Sequence, residues 1–233
     1  MIPPIIHYCW FGRKPLPKLA KKCILSWKKF FPGYEIKEWN EYNFDVDMIS
    51  YTREAYKAGK FAFVSDFARY WILYNHGGIY FDTDVEVIKP FDDILKAGPF
   101  LGIENTRTSI SVNPGLGMGA FPKMNFYKEM VEIFTQWQPD SSNSVKPLLI
   151  KKTSDLLREH GWLPENKQQK VDGIIIYPND FFNPLDDYTG KINITSDTHS
   201  IHFYAKSWIE GYGPFRNWMS KRYHRFLTLL KNR

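Results

Sequence analysis

The sequence predicts an α/β protein built on a largely parallel sheet. Three observations predict it. Short apolar runs alternate with helix-period segments through the first half of the chain. The strongest helical run, 61–75, is stopped by Gly77-Gly78 and followed at once by the strand-like run 79–88. An indole, Trp10, and two carboxylates, Asp82 and Asp84, fall at strand ends, where ligands sit in such sheets. With 233 residues the chain is long enough for one domain with a full core.

The elements follow in order. Residues 2–11 read as a first buried strand after a proline pair, and 12–17 (GRKPLP) as a loop. Leu19, Cys23, Trp27 and Phe30 repeat near a helical period, predicting a helix over 18–31 that Pro32-Gly33 ends. Residues 34–39 form a second strand, and 47–58 a helix ending at Gly59. The helix over 61–75 (FAFVSDFARYWILYN) is apolar almost throughout. Phe100 to Glu104 is a further strand, and 111–120 (SVNPGLGMGA) is glycine-rich. Helices over 123–137 and 145–160 follow, then strands at Ile174–Tyr177 and Ser200–Tyr204 and a terminal helix over 215–231. The chain thus divides into a domain over 1–214 and a basic amphipathic helix over 215–233.

Composition narrows the function class. Hydrophobic residues make up 43% and aromatics 17%, so the chain folds rather than staying disordered. The net charge of +6 suits an anionic partner: nucleotide phosphates, an anionic membrane face or nucleic acid. Two cysteines imply no disulfide framework. No charged-then-apolar leader is visible, and no run approaches the ~18 apolar residues of a membrane-crossing helix. The expected location is cytoplasmic, with peripheral contact on the inner membrane face through the terminal helix as one reading. Packing of that helix on the domain is the other.

The chemistry centres on Asp82 and Asp84. An unpaired carboxylate is costly to bury, so two of them at the end of an apolar strand suggest a bound cation. Oxygen ligands favour a hard divalent ion, Mg2+ or Mn2+, of the kind that holds phosphates. On an extended strand both acids share a side; if the chain turns, both still reach one ion. Asp66 and Arg69, three apart, share a face of the apolar helix. They are either a buried ion pair or a polar stripe facing the site, and the greasy surroundings favour the stripe. Trp10 suits stacking on a base or burial in the core.

The late segment THSIHFYAKSW holds His199, His202, Lys206 and Trp208. The two histidines differ in strand parity, so one of them completes the coordination begun by Asp84. Lys206 then neutralises a leaving diphosphate, with Trp208 beside it. Asn113, Gly115, Gly117 and Gly119 offer a backbone wall close to substrate. The phosphate-loop and dinucleotide fingerprints are missing, so kinase, ATPase and dehydrogenase readings lose ground.

IIHYCWFG near the start, SDFARYWILYNHGGIYFDTDVE in the middle and the late HFYAKSW resemble the DXD-bearing "sugar-binding region" glycosyltransferases. That group includes capsular polysaccharide transferases and fungal Golgi initiating mannosyltransferases, with glucosylating toxins as distant relatives. The resemblance is strong over residues 3–104 and thin afterwards. It implies a single-domain, Rossmann-like GT-A fold, a UDP- or GDP-sugar donor, a divalent metal and retention of anomeric configuration. It also implies roles: Trp10 stacking on the base, Asp66 and Arg69 on the donor sugar, Asp82 on ribose or metal, Asp84 on the metal. The late segment, with His202 as its metal ligand, closes over the diphosphate.

The expected function is therefore a metal-dependent glycosyltransferase acting on a glycan or lipid-linked glycan, in the setting of surface polysaccharide or capsule synthesis. The rival is a basic nucleic-acid-binding or metal-dependent nuclease module. Its basic residues would need to cluster, and outside the terminal helix they are spread, so no nucleic-acid partner is expected.

Overall fold

The computed structural model describes residues 1–138 and 149–205. Its elements are β1 (Ile5–Cys9), α1 (Lys18–Phe30), β2 (Glu35–Trp39), α2 (Ser50–Lys57), α3 (Phe61–His76), β3 (Gly78–Tyr80), β4 (Val85–Val87), α4 (Asp92–Ala97), β5 (Phe100–Asn105), β6 (Ile110–Val112), β7 (Met118–Ala120), α5 (Asn125–Thr135), α6 (Leu149–Glu159), β8 (Gln169–Val171), β9 (Ile174–Tyr177), α7 (Asn179–Phe182) and β10 (Ser200–His202). A 3-10 turn, Pro114–Leu116, joins β6 to β7. The central sheet has the order β2-β1-β3-β7-β5-β9-β8, with β6 beside β5. Strands β1, β2, β3, β5 and β9 run one way; β6, β7 and β8 run against them. The sheet is mixed and mostly parallel, as the alternation predicts.

Side chains alternate across this sheet, and each face has its own core. Ile6, Tyr8, Ile79 and Phe100 pack with Trp27, Phe31 and Phe91 on one face. Cys9, Tyr80, Leu101 and Met118 pack on the other with Phe67, Tyr70 and Phe134. Helix α3 lies on this second face, against β1, β3, α2 and α5. Its Phe63, Phe67, Ile72 and Leu73 are buried. Each such side chain contributes roughly 1.5–3 kcal/mol over exposure.

The Gly77-Gly78 pair turns α3 into β3. Gly77 has φ +64° and Gly78 φ +92°, both in the left-handed region that glycine tolerates. A Cβ on Gly78 would lie 2.7 Å from the carbonyl oxygen of Ile5. Strand β3 thus lies tight against β1, pairing Ile79 with Ile6 and Tyr80 with His7. The imidazole of His7 locks the turn, its Nε2 3.0 Å from the Gly77 carbonyl, while Nδ1 accepts from the Trp39 indole at 3.1 Å.

The predicted strand over 79–88 is two strands. β3 ends at Tyr80, the chain turns through Asp82–Asp84, and β4 leaves the central sheet to pair antiparallel with β10. Helix α1 captures β4: the Trp27 indole donates to the Val85 carbonyl at 2.8 Å, and Ser26 Oγ accepts from Val87 N–H at 2.9 Å. These bonds compensate the groups that leave the sheet. The glycine-rich run, read as a wall, supplies β6, the 3-10 turn and the central strand β7. Small residues suit β7, since a Cβ on Gly119 would meet the Phe100 ring at 2.4 Å. The predicted helix over 215–231, and with it the separate unit over 215–233, lies outside the described residues.

Candidate active site

The turn between β3 and β4 places Asp82 and Asp84 beyond the carboxyl end of β3, next to the end of β1 that carries Trp10. The two acids do not share one side of an extended strand as first expected; the Val85 N–H donates back to the Asp82 carbonyl at 3.0 Å and closes the turn. Strand β10 brings in His202, opposite Val85 in the register. One ligand atom from each of Asp82, Asp84 and His202 lies within 4.8 Å of the others. The structure thus brings together the three side chains that the sequence offers as ligands.

Asp84 is the more tightly held acid. Its Oδ1 lies 3.2 Å from His202 Nε2, and its Oδ2 accepts the Ala205 N–H at 2.7 Å. Burial pushes its carboxyl up, but His202 and the Ala205 N–H outweigh that and bring it down to about 2. His202 moves the other way: burial lowers it, and the charges of Asp84, Asp82 and Glu104 raise it overall. His199, the other late histidine, points elsewhere. Its Nε2 lies 3.0 Å from Asp93 Oδ1, and its ring stacks on Phe181.

Asp66 and Arg69 do face this site. Arg69 is buried and bridges two carboxylates, Asp66 Oδ1 at 3.2 Å and Asp82 Oδ1 at 3.1 Å. Its guanidinium lies over the Tyr80 ring, and its Nε donates to the Ser65 carbonyl. Burial pushes the Asp66 carboxyl up to about 7; Arg69 opposes the rise and Asp82 adds to it. The two readings of this pair therefore merge, because the ion pair is buried and also fixes Asp82.

Three further residues contribute. Tyr80 donates to Asp82 Oδ1 at 3.1 Å. Gly115 sits against Asp82, where a Cβ would lie 2.5 Å from Oδ2. Asn113 Oδ1 accepts the Gly115 N–H at 2.8 Å. Asn113 and Gly115 belong to the expected wall. Tyr80 carries a sequence signal only in retrospect, as a polar tip two residues before Asp82. Trp10 is half-buried, and its indole donates to the Lys14 carbonyl at 2.5 Å. Lys206 and Trp208 lie outside the described residues.

The site fits a divalent ion on its own chemistry. Two carboxylates and an imidazole converge, and His202 Nδ1 is buried with no hydrogen-bond partner among the described residues. A mixed oxygen and nitrogen set suits Mn2+ at least as well as Mg2+.

The comparisons with known proteins give the class of this chain, and all of them point to glycosyltransferases. A family model described as "Glycosyltransferase sugar-binding region containing DXD motif" matches residues 17–101. The chain is 26% identical over 219 residues to an uncharacterized glycosyltransferase of Acanthamoeba polyphaga mimivirus, spanning 89% of this chain and 84% of that one. It is 30% identical over 111 residues to inositol phosphoceramide mannosyltransferase 1 of Schizosaccharomyces pombe, spanning 43% of this chain and 33% of that protein. The fold is similar to that of the PaToxG glycosyltransferase, with TM-score 0.52 and 15% identity over 68% of this chain and 69% of the other. The structural likeness shows a GT-A fold. The matched region and the relatives bear out the resemblance to the DXD glycosyltransferases and identify the chain as a glycosyltransferase.

Proposed function

We propose that this chain transfers a sugar from a UDP- or GDP-linked donor to a glycan or lipid-linked glycan acceptor, with a divalent ion and with retention of configuration. The observation that carries the reading is the convergence of Asp82, Asp84 and His202 at the end of β3, braced by Arg69. These three side chains would hold the ion, Mn2+ or Mg2+, which when bound offsets charge on a leaving diphosphate.

The chain's own residues then divide the work. Asp84, held ionised by His202 and Ala205, keeps its charge at any physiological pH. Arg69 orients Asp82 and, with Asp66, presents a polar edge towards the donor sugar. Trp10 offers an indole face to the base. The acceptor hydroxyl attacks the anomeric carbon from the face the diphosphate leaves. No carboxylate of the site is left over as a covalent nucleophile, so none is assigned.

The fungal relative is by name a mannosyltransferase acting on inositol phosphoceramide, which supports a lipid-bearing acceptor. Surface polysaccharide synthesis in the cytoplasm, at the inner membrane face, is the setting we propose. No helix among the described residues is long and apolar enough to cross a membrane.

The test is a screen of UDP- and GDP-sugars by thermal shift and donor hydrolysis, with and without Mn2+. One donor should stabilise the protein only with metal, and Asp84→Ala should remove that response. Full turnover by both Asp82→Ala and Asp84→Ala would overturn the site assignment.

A further inference from the structure

Glu104 is a buried carboxylate, 8% exposed, near the end of β5. Among the described residues no lysine or arginine pairs with it. Its oxygens are taken by two neutral donors instead. Tyr204 O–H donates to Oε1 at 2.6 Å, and Asn113 Nδ2 donates to Oε2 at 3.3 Å. Burying a carboxylate on neutral donors alone is costly, so the arrangement calls for a reason.

Each donor leads to a different half of the metal site. Tyr204 lies between His202 and Ala205, the imidazole and the N–H that hold Asp84. Its φ of +50° is a left-handed conformation that a tyrosine rarely adopts. The Tyr204 hydroxyl also accepts from Asn183 Nδ2 at 2.6 Å, and its ring lies 4.3 Å from that of His202. The strained backbone is thus over-determined by side-chain bonds. On the other side, Asn113 holds the Gly115 N–H, and Gly115 abuts the Asp82 carboxylate.

From this geometry we propose that Glu104 is a positioning residue for the divalent ion. It ties the segment after β10, which sets His202 and Asp84, to the 113–115 turn, which sets Asp82. It does not touch the ion or the donor; it fixes the spacing of the three ligands. This rests on the metal-site reading above. Partners of metal ligands that act in this way commonly change metal affinity about tenfold or more when removed.

The experiment is direct Mn2+ binding to the full chain without donor, by calorimetry or by loss of the free-ion electron paramagnetic resonance signal. Wild type, Glu104→Gln, Tyr204→Phe, the double variant and Asp84→Ala are compared. The amide introduced by Glu104→Gln can keep the Tyr204 bond but presents an N–H to the Asn113 donor. Tyr204→Phe removes one hydroxyl and keeps the ring, so it decides the matter if Glu104→Gln fails to fold. Both single variants should bind Mn2+ about tenfold more weakly. The double variant should be no weaker than the worse single one, because each single variant already breaks the tie, one at its Asn113 end and the other at its Tyr204 end. In turnover the Mn2+ concentration for half-maximal rate should rise, with the rate at saturating Mn2+ largely kept.

Wild-type affinity in both folded single variants, with Asp84→Ala defective, would overturn the role of Glu104 and leave the metal site standing. Wild-type affinity in Asp84→Ala, or no binding by the wild type, would overturn the metal-site reading and this inference with it.

Discussion

Gly115 leaves room for Asp82: a Cβ at position 115 would lie 2.5 Å from Asp82 Oδ2. That carboxylate is already held by Arg69 and Tyr80, and the Asp82 backbone is fixed by the turn that closes on Val85. A methyl group there cannot be absorbed by a flexible side chain. Asp82 must move, and with it one of the three proposed metal ligands.

Gly115→Ala is therefore expected to fold and to lose turnover by about a hundredfold, the scale of a misplaced reacting group. Mn2+ affinity should fall in parallel. Steady-state rates over a Mn2+ titration check this, with near-ultraviolet circular dichroism as the control for folding. Wild-type kinetics in a folded Gly115→Ala would show that Asp82 has room to spare.

Arg69 carries a second prediction. It is the one cation that the described residues place between Asp66 and Asp82, and it is almost fully buried. Arg69→Leu strands two partly or wholly buried carboxylates and should cost about 3 kcal/mol in urea unfolding. Arg69→Lys supplies a charge but no planar fork, so it cannot serve both acids at once. It should regain most of the stability and little of the activity. Equal recovery of both would mean that Arg69 matters only as a charge.

The fold's pH dependence turns on His7. Burial holds its imidazole down to about 4, with His76 and Lys37 lowering it further against the pull of the Gly77 carbonyl. The folded state keeps His7 neutral, while the unfolded chain takes up a proton near 6.5. Between these values the unfolded state binds more protons, so stability rises with pH and is lost on acidification from about 6.5 to about 4. The full loss from this group is about 3 kcal/mol. Asp66, raised by burial, contributes with the opposite sign, so the comparison needs a variant. His7→Gln should be less stable at pH 7, and its stability between pH 4.5 and 6.5 should rise less with pH than that of the wild type, or fall, because the opposite slope of Asp66 is left uncompensated. An unchanged slope in urea titrations at those pH values would remove His7 from the account.

Local signals made much of this legible in the sequence. The apolar run of α3, the Gly77-Gly78 stop and the D-x-D after it are contiguous, and they place the site at the end of β3. The break between β3 and β4 was not legible, because Phe81 and Val85 are as apolar as strand residues. The departure of β4 is decided by Trp27 and Ser26, far away in the chain. Long-range pairing also hid Glu104, whose bond to Tyr204 joins residues 100 positions apart. The run 111–120 misled for a different reason. Its glycines suit a loop in isolation, yet Gly119 is required in a central strand because the Phe100 ring fills the space of its side chain. Of the late segment, His202 reaches Asp84 through the antiparallel pairing of β10 with β4, while Lys206 and Trp208 lie outside the described residues.

Trp10 provides the sharpest test of the donor side. Its backbone continues β1 by donating to the Trp39 carbonyl at 2.8 Å, and its indole N–H is satisfied by Lys14. The side chain packs on the core of the α1 face and remains half-exposed. Stacking of such a half-exposed ring on a base is worth about 1–3 kcal/mol. Trp10→Ala should therefore raise the donor KM by about tenfold, while kcat at saturating donor falls much less. Trp10→Phe keeps a ring and should recover most of that binding, though it loses the bond to Lys14. If Trp10→Ala instead lowers the melting temperature and leaves the donor KM unchanged, Trp10 is a core residue, and the base must be held by another part of the β1 end.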